Sequence, residues 1–109
     1  MGWTNLESEE MLNTIHQKSF EKPQLIFKHS TRCSISTVVK NRLFKNETPD
    51  TVDFYYLDLI AYRHISNQIA ERYQVTHESP QVLLIKDGVC IFHESHSAIY
   101  MEDILEKAS

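Results

Sequence analysis

The sequence predicts an α/β fold, a mixed four-stranded sheet flanked by helices, with an added helix at the N-terminus. Three observations predict it. Short apolar runs alternate with longer stretches in which apolar residues recur every three or four positions. Asp87-Gly88 joins the last two apolar runs, a link too short for anything but an antiparallel pair. The 109 residues are 41% apolar and hold only two glycines and three prolines, so one core and no long linkers are expected, a single domain over 1–109.

Each element has its own signal. Thr4 and Glu7 stand at capping-box spacing, and Met11, Leu12 and Ile15 follow at helical spacing. Trp3 is expected to pack this first helix against the sheet. Pro23 ends it. Gln24–His29 has a continuous apolar centre, the pattern of a strand buried on both faces. Ile35, Val38, Val39 and Leu43 then define one face of a second helix. Pro49-Asp50 marks a turn. Val52, Phe54 and Tyr56 alternate with Asp53 and Tyr55, a second strand ending near Asp58. Tyr62, Ile65, Ile69 and Tyr73 give a third helical face. A loop from Val75 leads to Pro80, and Gln81–Lys86 and Val89–His93 form the hairpin around Asp87-Gly88. Met101, Ile104, Leu105 and Ala108 line one side of a closing helix.

The order is α-β-α-β-α-β-β-α. The first two strands are parallel if the helix between them is a right-handed crossover. This is the element order of the thioredoxin fold with one extra N-terminal helix.

Charge and composition narrow the partners. Eleven Lys and Arg against fifteen Asp and Glu give a net charge of −4, a balance that gains little from releasing counterions on a polyanion. No nucleic-acid partner is expected. Lys40, Arg42 and Lys45 read as a solvated helix face. No apolar run reaches the ~18 residues of a membrane span, and the N-terminal residues are acidic without an apolar signal core. The expected setting is the cytoplasm, with Cys33 and Cys90 as thiols. His93, Glu94 and His96 cannot supply four ligands from one local run, so no metal is expected.

Chemistry concentrates at Cys33. It follows a buried strand and opens a helix, where unpaired N–H groups and the helix dipole favour a thiolate over a thiol. Ser30, Thr31, Arg32, Ser34 and Ser36 surround it, which suggests exposure, and Arg32 adds a cation. The thiolate is the nucleophile of thiol–disulfide exchange. Ser36 stands where a dithiol enzyme carries its second cysteine, so a mixed disulfide on Cys33 needs an outside thiol to resolve it. Cys90 lies just past the hairpin turn, roughly 15–20 Å from the active end at ~3.3 Å per residue, beyond the ~7 Å Cα separation of a disulfide. It reads as a packed strand residue. Pro80 enters its strand at an allowed first position. A cis Ser79-Pro80 peptide there would set Ser79's backbone beside the sulfur, free to pair with an extended substrate. His29 either adjoins Cys33 or is buried by strand alternation. His77 reads as a surface histidine on the facing loop.

His29-Ser30-Thr31-Arg32-Cys33-Ser34-Ile35-Ser36, with Thr76–Gln81 and the Lys86-Asp87-Gly88 hairpin, resembles the monothiol bacilliredoxin family over nearly the whole chain. The family motif is Thr-Cys-Pro-Ile-Ser. Cys33, Ile35 and Ser36 match it, whereas Arg32 replaces Thr and Ser34 replaces Pro. The resemblance implies an enzyme of thioredoxin fold that removes bacillithiol from S-bacillithiolated proteins. Cys33 would be catalytic, and Arg32, Ser34, Ser36, Ser79 and Pro80 would contact substrate or thiol. Bacillithiol would be a co-substrate rather than a bound cofactor, recycled by a bacillithiol disulfide reductase. Arg32 would suit the acidic malate part of bacillithiol. A monothiol glutaredoxin usually carries Gly-Gly after the last strand, and Phe92–Ser97 contains no glycine. The competing readings are a non-catalytic peptide-binding module and a redox sensor whose output is the Cys33 adduct.

Overall fold

The computed structural model describes residues 2–109. The chain runs β1 (Trp3–Asn5), α1 (Glu9–Lys18), β2 (Gln24–His29), α2 (Ser34–Phe44), β3 (Asp53–Asp58), α3 (Arg63–Tyr73), β4 (Gln81–Lys86), β5 (Val89–Ser95), a 3₁₀ turn (His96–Ala98) and α4 (Met101–Ala108). The sheet order is β1-β3-β2-β4-β5. β2 and β3 are parallel, and β4 runs antiparallel to both β2 and β5. The expected mixed sheet and crossover are therefore present.

The sheet has five strands rather than four. Trp3–Asn5 pairs in parallel with β3, Trp3 opposite Phe54 and Asn5 opposite Tyr56. These residues cannot also start α1. The N-cap is Ser8, whose hydroxyl accepts from Met11 N–H at 3.1 Å, and Glu9 and Glu10 fill the first turn. The Thr4/Glu7 spacing is thus coincidental. Three residues are too few to show alternation, and the strand exists because β3 offers a free edge. Trp3 accordingly packs away from α1. Its ring stacks on Phe44 at 4.9 Å and contacts Phe27 and Phe54.

Two cores sit on opposite faces of the sheet. Leu12 and Ile15 of α1 and Ile65 and Ile69 of α3 cover one face. Val39 and Leu43 of α2 and Met101 and Ile104 of α4 cover the other. β2 lies between them with all six residues buried, as its unbroken apolar centre predicts. The buried face of α2 differs from the expected one. It consists of Ser36, Val39 and Leu43, while Ile35 and Val38 are exposed. Ser36 occupies the inward position at the helix start, so a count of apolar residues selects the wrong arc.

The hairpin follows its sequence signal. Asp87 and Gly88 both adopt positive φ, 53° and 80°, the pattern of a type I′ turn. The turn is tied to the end of α1: Asp87 N–H donates to Ser19 C=O, and Gly88 N–H to Ser19 Oγ.

Candidate active site

The β2–β4 register decides which groups meet at the end of the sheet. Lys28 lies opposite Gln81. One residue further along β2 is His29, where the strand ends and the turn to Cys33 begins, and one residue before Gln81 is Pro80. The Ser79–Pro80 peptide is cis, as expected. Ser79 and Pro80 therefore stand over the same end of the sheet as the cysteine.

The turn is built from short hydrogen-bonded steps. Cys33 N–H donates to Ser30 C=O at 3.2 Å, and Arg32 N–H to Ser30 Oγ at 3.3 Å. Cys33 is the N-cap of α2, with φ −114° and ψ 120°. Its C=O accepts from Thr37 N–H, the first α-helical bond. The sulfur makes no capping hydrogen bond to the first-turn N–H groups that were expected to point at it. The sulfur keeps its place at the positive end of the helix. Cys33 is partly exposed, and Arg32 and Ser34 beside it are exposed, so all three are reachable from solvent.

Ser36 is not a surface residue. It is fully buried. Its Oγ accepts Ser30 N–H at 3.0 Å and lies 2.7 Å from His29 Nδ1. Burial and the Lys40 charge hold the His29 pKa below its usual value, which favours the neutral ring. Ser36 therefore braces the Cys33 turn, and its expected contact with substrate or thiol is withdrawn on grounds of burial. His29 is buried, the second of its two expected placements.

A further group escaped the sequence reading. Lys28 is completely buried, and its Nζ donates to Ser66 C=O at 3.1 Å. It also lies 3.4 Å from His77 Nδ1, which in turn is 3.2 Å from Ser66 Oγ. Burial pushes the Lys28 pKa down to about 8. His77 is half-buried and bonded rather than a free surface histidine, and burial, Lys28 and Arg63 lower its pKa. The cluster ties β2 and α3 to the loop that carries Ser79–Pro80. The available signal was a lysine inside a segment read as buried on both faces.

Ser79 is half-buried, and its backbone N–H and C=O make no backbone hydrogen bond among the described residues. The Pro80 C=O is occupied by His96 N–H at 2.9 Å. Cys90 sits opposite Ile85, itself opposite Gln24 at the far end of β2. Five strand steps at ~3.3 Å separate that end from His29, about 17 Å. The Cys90 thiol donates to Phe92 C=O, and burial raises its pKa. His96 pairs with Glu78 at 3.2 Å. No three His, Cys, Asp or Glu side chains converge as metal ligands among the described residues.

Comparison with known proteins agrees with this geometry. The family described as monothiol bacilliredoxin BrxC matches residues 4–104. A solved structure described as a candidate oxidoreductase with a thioredoxin fold superposes with a TM-score of 0.85 at 25% identity, covering 98% of this chain and 94% of the other. Thioredoxin O1 from Arabidopsis thaliana gives 0.76 at 16% identity, with 99% and 98% covered. The Malassezia sympodialis thioredoxin gives 0.74 at 19% identity, with 98% and 88% covered.

Proposed function

The chain belongs to the monothiol bacilliredoxin family, and from that premise we propose that it is a thiol–disulfide oxidoreductase that removes bacillithiol from protein mixed disulfides in the cytoplasm. The observation that carries this reading is a partly exposed cysteine at the start of α2 whose nearby resolving position holds a buried serine.

The Cys33 thiolate attacks the bacillithiol sulfur of an S-bacillithiolated protein. The protein–bacillithiol S–S bond breaks, the substrate sulfur leaves as a thiolate and takes a proton from solvent, and bacillithiol stays on Cys33. A second bacillithiol thiolate attacks the bacillithiol sulfur of that adduct. Cys33 leaves as thiolate and oxidised bacillithiol departs, to be reduced by a bacillithiol disulfide reductase. Ser36 has no sulfur to intercept the adduct, and Cys90 is too far away. Arg32 and Ser34, exposed beside the sulfur, are the side chains placed to meet bacillithiol, and Ser79 presents backbone groups to the protein partner. Among the described residues, no helix is long and apolar enough to cross a membrane.

Release of bacillithiol from a bacillithiolated test protein, followed by mass spectrometry with excess bacillithiol, tests this. Cys33→Ser is expected to abolish release, and Cys90→Ala to change the rate less than tenfold, about 1.4 kcal/mol of barrier. Retained turnover in Cys33→Ser would end the proposal. Exposed Ile35 and Val38 beside Cys33 favour a protein-binding role as a second reading. In that case Cys33→Ser still binds the test protein and wild type releases nothing.

A further inference from the structure

Lys28 is a buried charge that the exchange chemistry leaves unused. It precedes Cys33 on β2, and its side chain is fully withdrawn from water. Its pKa of about 8 leaves it mostly an ammonium at neutral pH. Ile26, two residues earlier and so on the same face of the strand, packs in the apolar core beneath α1 and α3. An apolar residue at position 28 would extend that core. A desolvated ammonium is the costlier choice, and it is kept only where it has partners.

Those partners hold a loop. An ammonium donates and cannot accept. Nζ donates to Ser66 C=O at 3.1 Å and faces His77 Nδ1 at 3.4 Å, where the ring nitrogen is the acceptor. His77 belongs to the segment between α3 and β4. Residues 76–79 of that segment make no backbone–backbone hydrogen bond among the described residues. Side chains tether it instead. Gln81 Nε2 donates to Thr76 C=O at 2.9 Å, and His96 Nε2 meets the Glu78 carboxylate at 3.2 Å. These two contacts join the loop to β4 and to the turn after β5. The Lys28–His77 contact joins it to β2, the strand that leads into Cys33. Ser79, with its backbone groups free of backbone partners, follows two residues after His77.

We propose that Lys28 is a positioning residue: by holding His77 it fixes the Ser79 segment relative to Cys33, so that a protein substrate lies along the loop while its disulfide reaches the sulfur. The assignment rests on the exchange reading above. A disulfide between two small thiols has no chain to lay along the loop and does not draw on this contact. Lys28 itself makes and breaks no covalent bond.

The test compares two substrates of the full chain, a bacillithiolated test protein and the mixed disulfide of bacillithiol with cysteine. Lys28→Met is expected to lower kcat/KM about tenfold for the protein and less than about twofold for the small disulfide. Alkylation of Cys33 by iodoacetamide is expected to keep its wild-type rate, because the thiolate is untouched. His77→Leu is expected to reproduce the split, and His77→Asn, which keeps an acceptor, to recover most of the loss. His77 is half-buried, so this pair carries the test even where Lys28→Met impairs folding. Equal losses on both substrates, an unchanged value for the protein, or slowed alkylation overturns the proposal. Binding of the bacillithiolated protein to the Cys33→Ser chain, read by fluorescence titration, separates the two readings. Adding Lys28→Met is expected to weaken it about tenfold, and equal affinities overturn the positioning role. A wild-type chain that releases bacillithiol from neither substrate refutes the exchange reading, whatever the titration gives.

Discussion

Ser36 occupies the place where a second cysteine would turn Cys33 into half of a dithiol, and it uses that place to hold the turn. One hydroxyl serves Ser30 N–H and His29 Nδ1 at once, both inside the protein. Removing it leaves the buried Ser30 N–H and His29 Nδ1 without that partner. Ser36→Ala is therefore expected to lower unfolding free energy by about 2 kcal/mol. Urea denaturation with an unchanged m-value is the measurement, and a loss under 0.5 kcal/mol, taken as roughly the size of a neutral surface change, would contradict the bracing role. Cys33 could be located from sequence because a strand–helix junction is a local pattern. The function of Ser36 could not, because its partners come into range only once β2 and α2 are packed. The same holds for Lys28, whose partners Ser66 and His77 lie 38 and 49 residues along the chain.

At the scale of elements, the two readings that failed share a cause. β1 is three residues long and depends on the exposed edge of β3. The inward arc of α2 includes a serine, so apolar periodicity points to Ile35 and Val38, which face solvent. Both features are set by a neighbour rather than by the segment itself. The hairpin is the opposite case, because its two turn residues specify their own geometry. Gly88 has φ 80°, and an added Cβ would approach Phe20 Cζ at 2.8 Å. The Phe20 ring is exposed and can swing aside, so the backbone term dominates. Gly88→Ala is expected to cost about 1–2 kcal/mol, the left-handed penalty of an L-residue. The midpoint of chemical denaturation should fall accordingly, with no change in bacillithiol release, since the turn lies at the opposite end of β4 from Pro80.

Across the whole molecule, Lys28 couples the site to global stability. Its pKa is about 8 in the folded chain against 10.5 when unfolded. Between those values the unfolded state binds more protons, so folding stability rises with pH. Below pH 8 the buried ammonium is a constant cost of about 3 kcal/mol, which disappears as pH climbs through the window. Burial also raises the pKa of Tyr55, Tyr56 and Tyr73, so the clean interval is pH 8 to 10. The difference in unfolding free energy between wild type and Lys28→Met should grow across that interval in favour of wild type. A flat difference would mean that the ammonium is not desolvated. On the acid side the sign follows from His29 and His77, both lowered. Their unfolded forms take up protons first, so stability falls as pH drops below about 6.5, the ordinary histidine value. Measured unfolding free energies that stay level from pH 7 to pH 5 would contradict it.

Read alone, the sequence determined the α/β class, the strand directions, the hairpin and the single cysteine at a strand–helix junction. Each is written in spacings of a few residues, and local sterics and periodicity act over that range. Only the packed chain decided that Trp3–Asn5 is a fifth strand, that Ser36 is a brace, and that Lys28 is buried against Ser66 and His77. Those depend on which distant groups lose water together. Burial of a polar group is a property of its surroundings, and no window of neighbouring residues contains them.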